Sequence, residues 1–148
     1  MQNWYEGVIR YEKVTDEGKV KKVNELYLVD ALSATECEAR LIEEMTPFIT
    51  GEFAVKSVKQ SNYSELFLSE EEAADRYFKC KLIFITLDEK SGAGKKTSTQ
   101  VLVQAADLRD AVKKLDEGMK GTMADYQIGS VVETAIMDVY LYNNNNNN

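Results

Sequence analysis

The sequence predicts an α+β protein made of two pseudo-repeated β-β-α-β units, each an antiparallel hairpin with one helix packed on its sheet. Three observations carry this reading. The run YLVDALSATECEARLIEEM (27–45) is echoed by VLVQAADLRDAVKKLDEGM (101–119), and a shift of 74 places Leu28 on Leu102, Val29 on Val103, Leu41 on Leu115 and Met45 on Met119. At a shift of 73, the alternate residues Tyr5, Gly7, Ile9 and Tyr11 fall on Phe78, Cys80, Leu82 and Phe84, and EFAVKSV (52–58) falls on DYQIGSV (125–131). The order of elements also matches throughout, with single-residue slips where loops belong. Chance likeness between two βαβ-like patterns is the alternative; the matched order favours two copies, residues 4–68 and 77–141.

Each element has its own local warrant. Trp4–Val14 alternates apolar and polar residues, Thr15-Asp16-Glu17-Gly18-Lys19 supplies a turn, and Val20–Val29 returns as the second strand. Ser33 is a good helix N-cap, with Glu36 completing a capping box. Ala34, Cys37, Leu41, Ile42 and Met45 form an apolar stripe at helical spacing, which Pro47 and Gly51 bring to an end. Glu52–Gln60 reads as a third strand and Tyr63–Leu68 as a short fourth. The acidic stretch 69–76 reads as a solvated linker between the copies. In the second copy, Tyr77–Leu87 and Lys96–Ala105 form the hairpin, and Asp107 caps a helix with Leu108, Ala111, Val112, Leu115 and Met119 on its core stripe. Tyr126–Tyr142 reads as one long final strand, and the asparagine tail, 143–148, is expected to be disordered. Residues 1–142 are thus expected to make a single domain.

Composition narrows the function classes. At 44% hydrophobic residues the chain is that of a globular protein, and no apolar run approaches a membrane span. The opening residues do not resemble a signal peptide, so a cytoplasmic location in a bacterial host is expected. Net charge is −7 without a basic footprint, which argues against duplex nucleic acid as a partner. Histidine is absent, removing the commonest general base and metal ligand. Cys37 and Cys80 read as buried free thiols. An enzyme is therefore not expected, nor a cofactor or a metal site.

The segment Ser91–Thr97 invites comparison with a phosphate-binding loop, but Glu89 stands where its first glycine belongs and Lys96 where Ser or Thr must follow Lys95. A hairpin tip is the better reading. Arginine with tyrosine or tryptophan is more suggestive, because that pairing suits a phosphate and a purine face. Arg10 lies beside Tyr11 on the first strand, near Trp4 and Tyr5, and Arg76 lies beside Tyr77 on the matching strand. Arg109 opens the second helix, where backbone N–H groups favour anions, and Lys120 and Thr122 lie in the loop richest in glycine and donors. Surface arginine and core tyrosine are the plain alternative for every one of these. The helix-free side of the sheets carries Trp4, Val8, Tyr77, Ile83 and Ile85, so either the two sheets pack on each other or that surface meets another chain, as in a homo-oligomer.

The runs LVQAADLRDAVKKLDEGMKGTMADYQI and YEKVTDEGKVKKVNELYLVDALSATECEARLIEEMTPFITGEF resemble a family of small proteins of unknown function from gut bacteria and their phages and mobile elements, over nearly all of residues 3–142. The resemblance implies a phage-type setting and no chemistry. In that setting the leading expectation is a non-enzymatic protein that sequesters a nucleotide-like immune signal, an anti-defence role. An oligomeric adaptor binding a protein partner through a sheet face is the alternative, and a metal-dependent phosphodiesterase the third.

Overall fold

A computed structural model describes residues 3–122 and 125–141; the asparagine tail lies outside the described residues. Within them the protein is α+β, with eight strands and two helices in the order β1 (Trp4–Val14), β2 (Val20–Asp30), α1 (Ala34–Met45), β3 (Phe53–Ser61), β4 (Tyr63–Phe67), β5 (Arg76–Leu87), β6 (Gly94–Ala105), α2 (Leu108–Gly118), β7 (Tyr126–Glu133) and β8 (Ile136–Tyr140). The hairpins and both helices stand where alternation, turn residues and caps place them. One local expectation fails: the long final strand is two strands, β7 and β8, parted at Thr134 and Ala135. Thr134 fastens that break, its N–H and its hydroxyl both donating to the Tyr77 carbonyl at 2.8 and 2.9 Å.

The chain divides into two compact units, one holding residues to Asn62 together with those from Ala135, the other Tyr63–Thr134. The first sheet has the order β3-β1-β2-β8, with β1 antiparallel to β2 and β3, and β8 parallel to β2. The second has the order β4-β6-β5-β7, with β5 antiparallel to β6 and β7, and β4 parallel to β6. The units therefore do not coincide with the segments 4–68 and 77–141. Strand β4 follows β3 after one residue yet belongs to the second unit, and β8 follows β7 yet belongs to the first.

In the first unit, α1 covers one face of the sheet. Cys37, Leu41 and Met45 pack on Ile9, Tyr27, Val29 and Ala31. Gly7 is needed there, since a Cβ on it would collide with Cδ1 of Leu41. In the second unit, Ala111 and Leu115 of α2 pack on Phe78, Cys80, Leu82, Val101, Val103 and Ala105. Both helices begin alike. Ser33 Oγ accepts from Glu36 N–H while the Glu36 carboxylate accepts from Leu32 N–H, and Asp107 and Asp110 repeat the arrangement with Ala106. Leu108 and Ile42, expected on the core stripes, are exposed.

The acidic stretch after β4 is not a free linker. Gln104 accepts from Ser69 N–H and donates to the Ala74 carbonyl, Lys114 reaches Glu71 at 3.0 Å, and Ala74 is buried. These contacts hold it inside the second unit, where the net charge of the segment is partly compensated.

Candidate functional site

The first unit has an open cleft of about 590 Å³ at the hairpin end of its sheet, lined by Arg10, Glu12, Val14, Lys22, Glu52 and Phe53 among others. Strand pairing explains which side it occupies. Arg10, Glu12 and Val14 stand opposite Asn24, Lys22 and Val20, on the sheet face away from α1, whereas Tyr11 and Phe53 pack with the helix-side core. The cleft thus offers two cations balanced by two carboxylates. A cleft of about 880 Å³ in the second unit runs beside the end of α2, between Leu66–Glu71, Lys114, Glu117 and Gly118. Its one cation, Lys114, is engaged by Asp110 at 2.9 Å and by Glu71. Burial alone would lower the Lys114 pKa; its hydrogen bonds to those two carboxylates outweigh that and raise it.

Of the residues that the sequence singles out, Arg10 and Tyr11 meet at the first cleft. Trp4 and Tyr77 are buried within the chain itself, so neither requires a second chain to cover it. Tyr5 is half-buried on the α1 side. Arg76 is exposed and faces Glu133 at 3.8 Å. Arg109, Lys120 and Thr122 are exposed. At the start of α2 the Asp107 carboxylate accepts from Asp110 N–H and the Asp110 carboxylate from Ala106 N–H, so two anionic groups already stand at the helix terminus beside Arg109.

Two groups that the sequence reading passed over organise the first unit. Glu25 accepts from the hydroxyls of Tyr11 and Tyr27 at 3.1 and 3.0 Å, and the Tyr27 ring stacks on Tyr140 at 5.6 Å between centroids. Burial first, then the Glu25 hydrogen bond, pushes the Tyr27 phenol well above its ordinary value, and burial with the Asp138 charge pushes Tyr140 up to about 12. Arg40 donates to the carbonyls of Asp30 and Leu141, tying the end of β2 to the residue that follows β8. Lys114 stands 74 residues beyond Arg40 and ties the residues after β4 to α2. That shared offset was the available signal.

Both cysteines are free and buried, and burial pushes each thiol up to about 11, away from the thiolate that nucleophilic chemistry requires. No group of three or more metal-ligating side chains occurs among the described residues, and no described helix is long and apolar enough to cross a membrane. The chain belongs to the family described as Domain of unknown function (DUF4494), which it matches over residues 3–142. No curated protein matches it.

Proposed function

We propose that the protein is a non-catalytic binding protein of the host cytoplasm that engages another polypeptide through its strand surfaces and works as a homo-oligomer. The supporting observation is where large apolar side chains are left in water. Val14 and Val20 face each other across the first hairpin at 67% and 62% exposure, and Ile85 and Leu87 lie on one face of β5 at 42% and 74%. Such residues scattered singly need no explanation, but grouped on strand ends they mark a contact surface. Cross-linking a captured partner and locating the links by mass spectrometry tests this reading. Links should cluster at Lys19, Lys21, Lys95 and Lys96 near the two hairpin tips and disappear in Leu87→Ser or Val14→Ser. Links confined to the helices would sink it.

A second reading keeps the nucleotide-type signal, sequestered in a phage or mobile-element setting. The cleft with Arg10 and Lys22 favours it; Glu12 and Glu52 in the same cleft oppose a second phosphate. Mixing the protein with cyclic dinucleotides, filtering, and heating the retained fraction separates the readings. Recovery of intact nucleotide, lost at least about tenfold in Arg10→Ala, would install sequestration in place of the adaptor. Altered nucleotide would mean catalysis.

We further infer an internal duplication. It is supported by equal strand orders once β4 and β8 are exchanged, by the two capping arrangements, and by the shared register that puts Gly7 opposite Tyr27 and Cys80 opposite Val101. Superposing the two units should lay α1 on α2; helices on opposite sheet faces would end this reading.

A further inference from the structure

The outer antiparallel edges, β3 and β7, differ where it matters for association. Each carries a bulge that leaves one residue without a cross-strand partner: Lys56 in β3, between Ser57 and Val55, and Gly129 in β7, between Ser130 and Ile128. Three residues further on, β3 has Lys59 and β7 has Val132. An edge strand offers a row of unpaired N–H and C=O groups to any other strand, and lysine on the edge is a common guard against that pairing. Strand β3 carries two such guards in matching places and β7 carries none. Its single charge, Glu133, sits at its last residue facing Arg76. Gln127, Ile128, Gly129, Ser130 and Val132 are exposed.

We propose that β7 is an interface whose partner is β7 of a second copy of this chain, paired antiparallel about a two-fold axis. Two four-stranded sheets would then run on as one. The strand is self-complementary in faces, and its single charge meets no like charge in that pairing. Tyr126, Ile128 and Val131 stand beside Phe84, Leu82 and Cys80 on the helix side, while Gln127, Ser130 and Val132 stand beside Ile83, Lys81 and Lys79 on the other. An axis between Gly129 and Ser130 sets Ile128 opposite Val131 on one face and Gln127 opposite Val132 on the other, with Tyr126 opposite Glu133. No like charges meet, and the contact is isologous, so it closes at a dimer. The net charge of −7 on each copy opposes association at long range, but about 8 Å of screening in physiological salt confines the contest to the edge itself. A foreign strand could use the same edge; the agreement of faces across the bulge in self-pairing, without like charges meeting, favours a second copy. This inference rests on the homo-oligomer reading proposed above, for which it names the interface, and does not depend on which ligand class the protein binds.

Light scattering and sedimentation across the micromolar range should give twice the 16.7 kDa chain mass. Val132→Lys, at a position 56% exposed, should weaken the dimer about tenfold or more, whereas Lys59→Val should leave it unchanged. Amide exchange of the unmodified chain provides a second readout: protection of β7 should fall on dilution and that of β3 should not. If Val132→Lys loses its far-UV circular dichroism, the dilution experiment decides alone. A monomer at every concentration overturns the proposal, including one whose β7 amides become protected only on adding another protein. A dimer that survives Val132→Lys with β7 exchange indifferent to dilution overturns it as well.

Discussion

Where β1 and β2 pass under α1, a glycine faces a tyrosine; where β5 and β6 pass under α2, a cysteine faces a valine. Gly7 leaves room for Leu41 and the Cys37 sulfur, and the hydroxyl of its cross-strand neighbour Tyr27 finds an acceptor in Glu25. In the second unit Cys80 and Val101 fill the same kind of space with no polar atom to satisfy beyond the thiol, and Phe67 and Phe84 stand where the first unit has Tyr140 and Tyr11. Both cores bury comparable apolar faces. Each has hydrogen-bonded tyrosine on its helix side, but in the first unit Tyr11 and Tyr27 share the Glu25 carboxylate, whereas in the second Tyr126 donates to Asp116 at 3.2 Å, so the two differ in what they demand of their polar atoms.

That contrast can be broken most severely at the glycine–tyrosine pair. Tyr27→Val alone should cost about 2–4 kcal/mol through the cavity it leaves, and Gly7→Cys alone about 1–3 kcal/mol through overpacking against Leu41. Together they reproduce the second unit's pair, so the double variant should be more stable than the sum of the two losses by about 1 kcal/mol or more in urea titrations. Strict additivity would mean that the two positions do not share a volume.

The tethers come next. Arg40→Ala should remove about 2 kcal/mol by releasing two carbonyls, with faster amide exchange concentrated in β8. Lys114→Ala should act on the 69–76 segment and less strongly, since Glu71 remains largely solvated. Equal exchange changes in both segments for either variant would contradict this division of labour.

Alkaline pH sharpens the comparison. Tyr27, Tyr140 and Tyr11 all have folded-state pKa values raised above the unfolded value of 10.0, so their contribution is complete below that pH and lost as pH climbs through the folded values. In the second unit Tyr126 is raised too, by burial and then by Asp116. Denaturation at pH 8 and near pH 11 should therefore show loss, with amide protection falling first in the first unit; Tyr27→Phe should lessen the drop. The smallest effect is expected from Arg76→Ala, an exposed pair with Glu133, at under about 1 kcal/mol in the same titrations.

Much of the candidate surface was readable in advance only as residue types. Arg10 and Tyr11 are neighbours in sequence, and pleating sends them to opposite faces of the sheet, so that although both border the cleft Tyr11 also packs on the core. Trp4 and Tyr77 had the chemistry for stacking but lie in the interior. Lys22, from β2, and Glu52, just before β3, set the charge balance beside Arg10 and carry no local signal. The guarded and unguarded edges, by contrast, can be seen once EFAVKSVKQ and DYQIGSVVE are set side by side, although only pairing shows that both are edges.

By itself the sequence determined the hairpins, the helix starts and the helix faces. Those features follow from interactions within a few residues: side-chain alternation, Ser33 and Asp107 at the caps, glycine in the turns. Tertiary structure alone decided which sheet receives β4 and β8, that the chain breaks at Thr134, and that the acidic stretch is held by Gln104 and Lys114. Alternation specifies which face of a strand is buried but not which strand lies beside it. The partner of β8 is β2, more than a hundred residues away, and that choice rests on long-range backbone hydrogen bonds that leave no mark on local residue spacing.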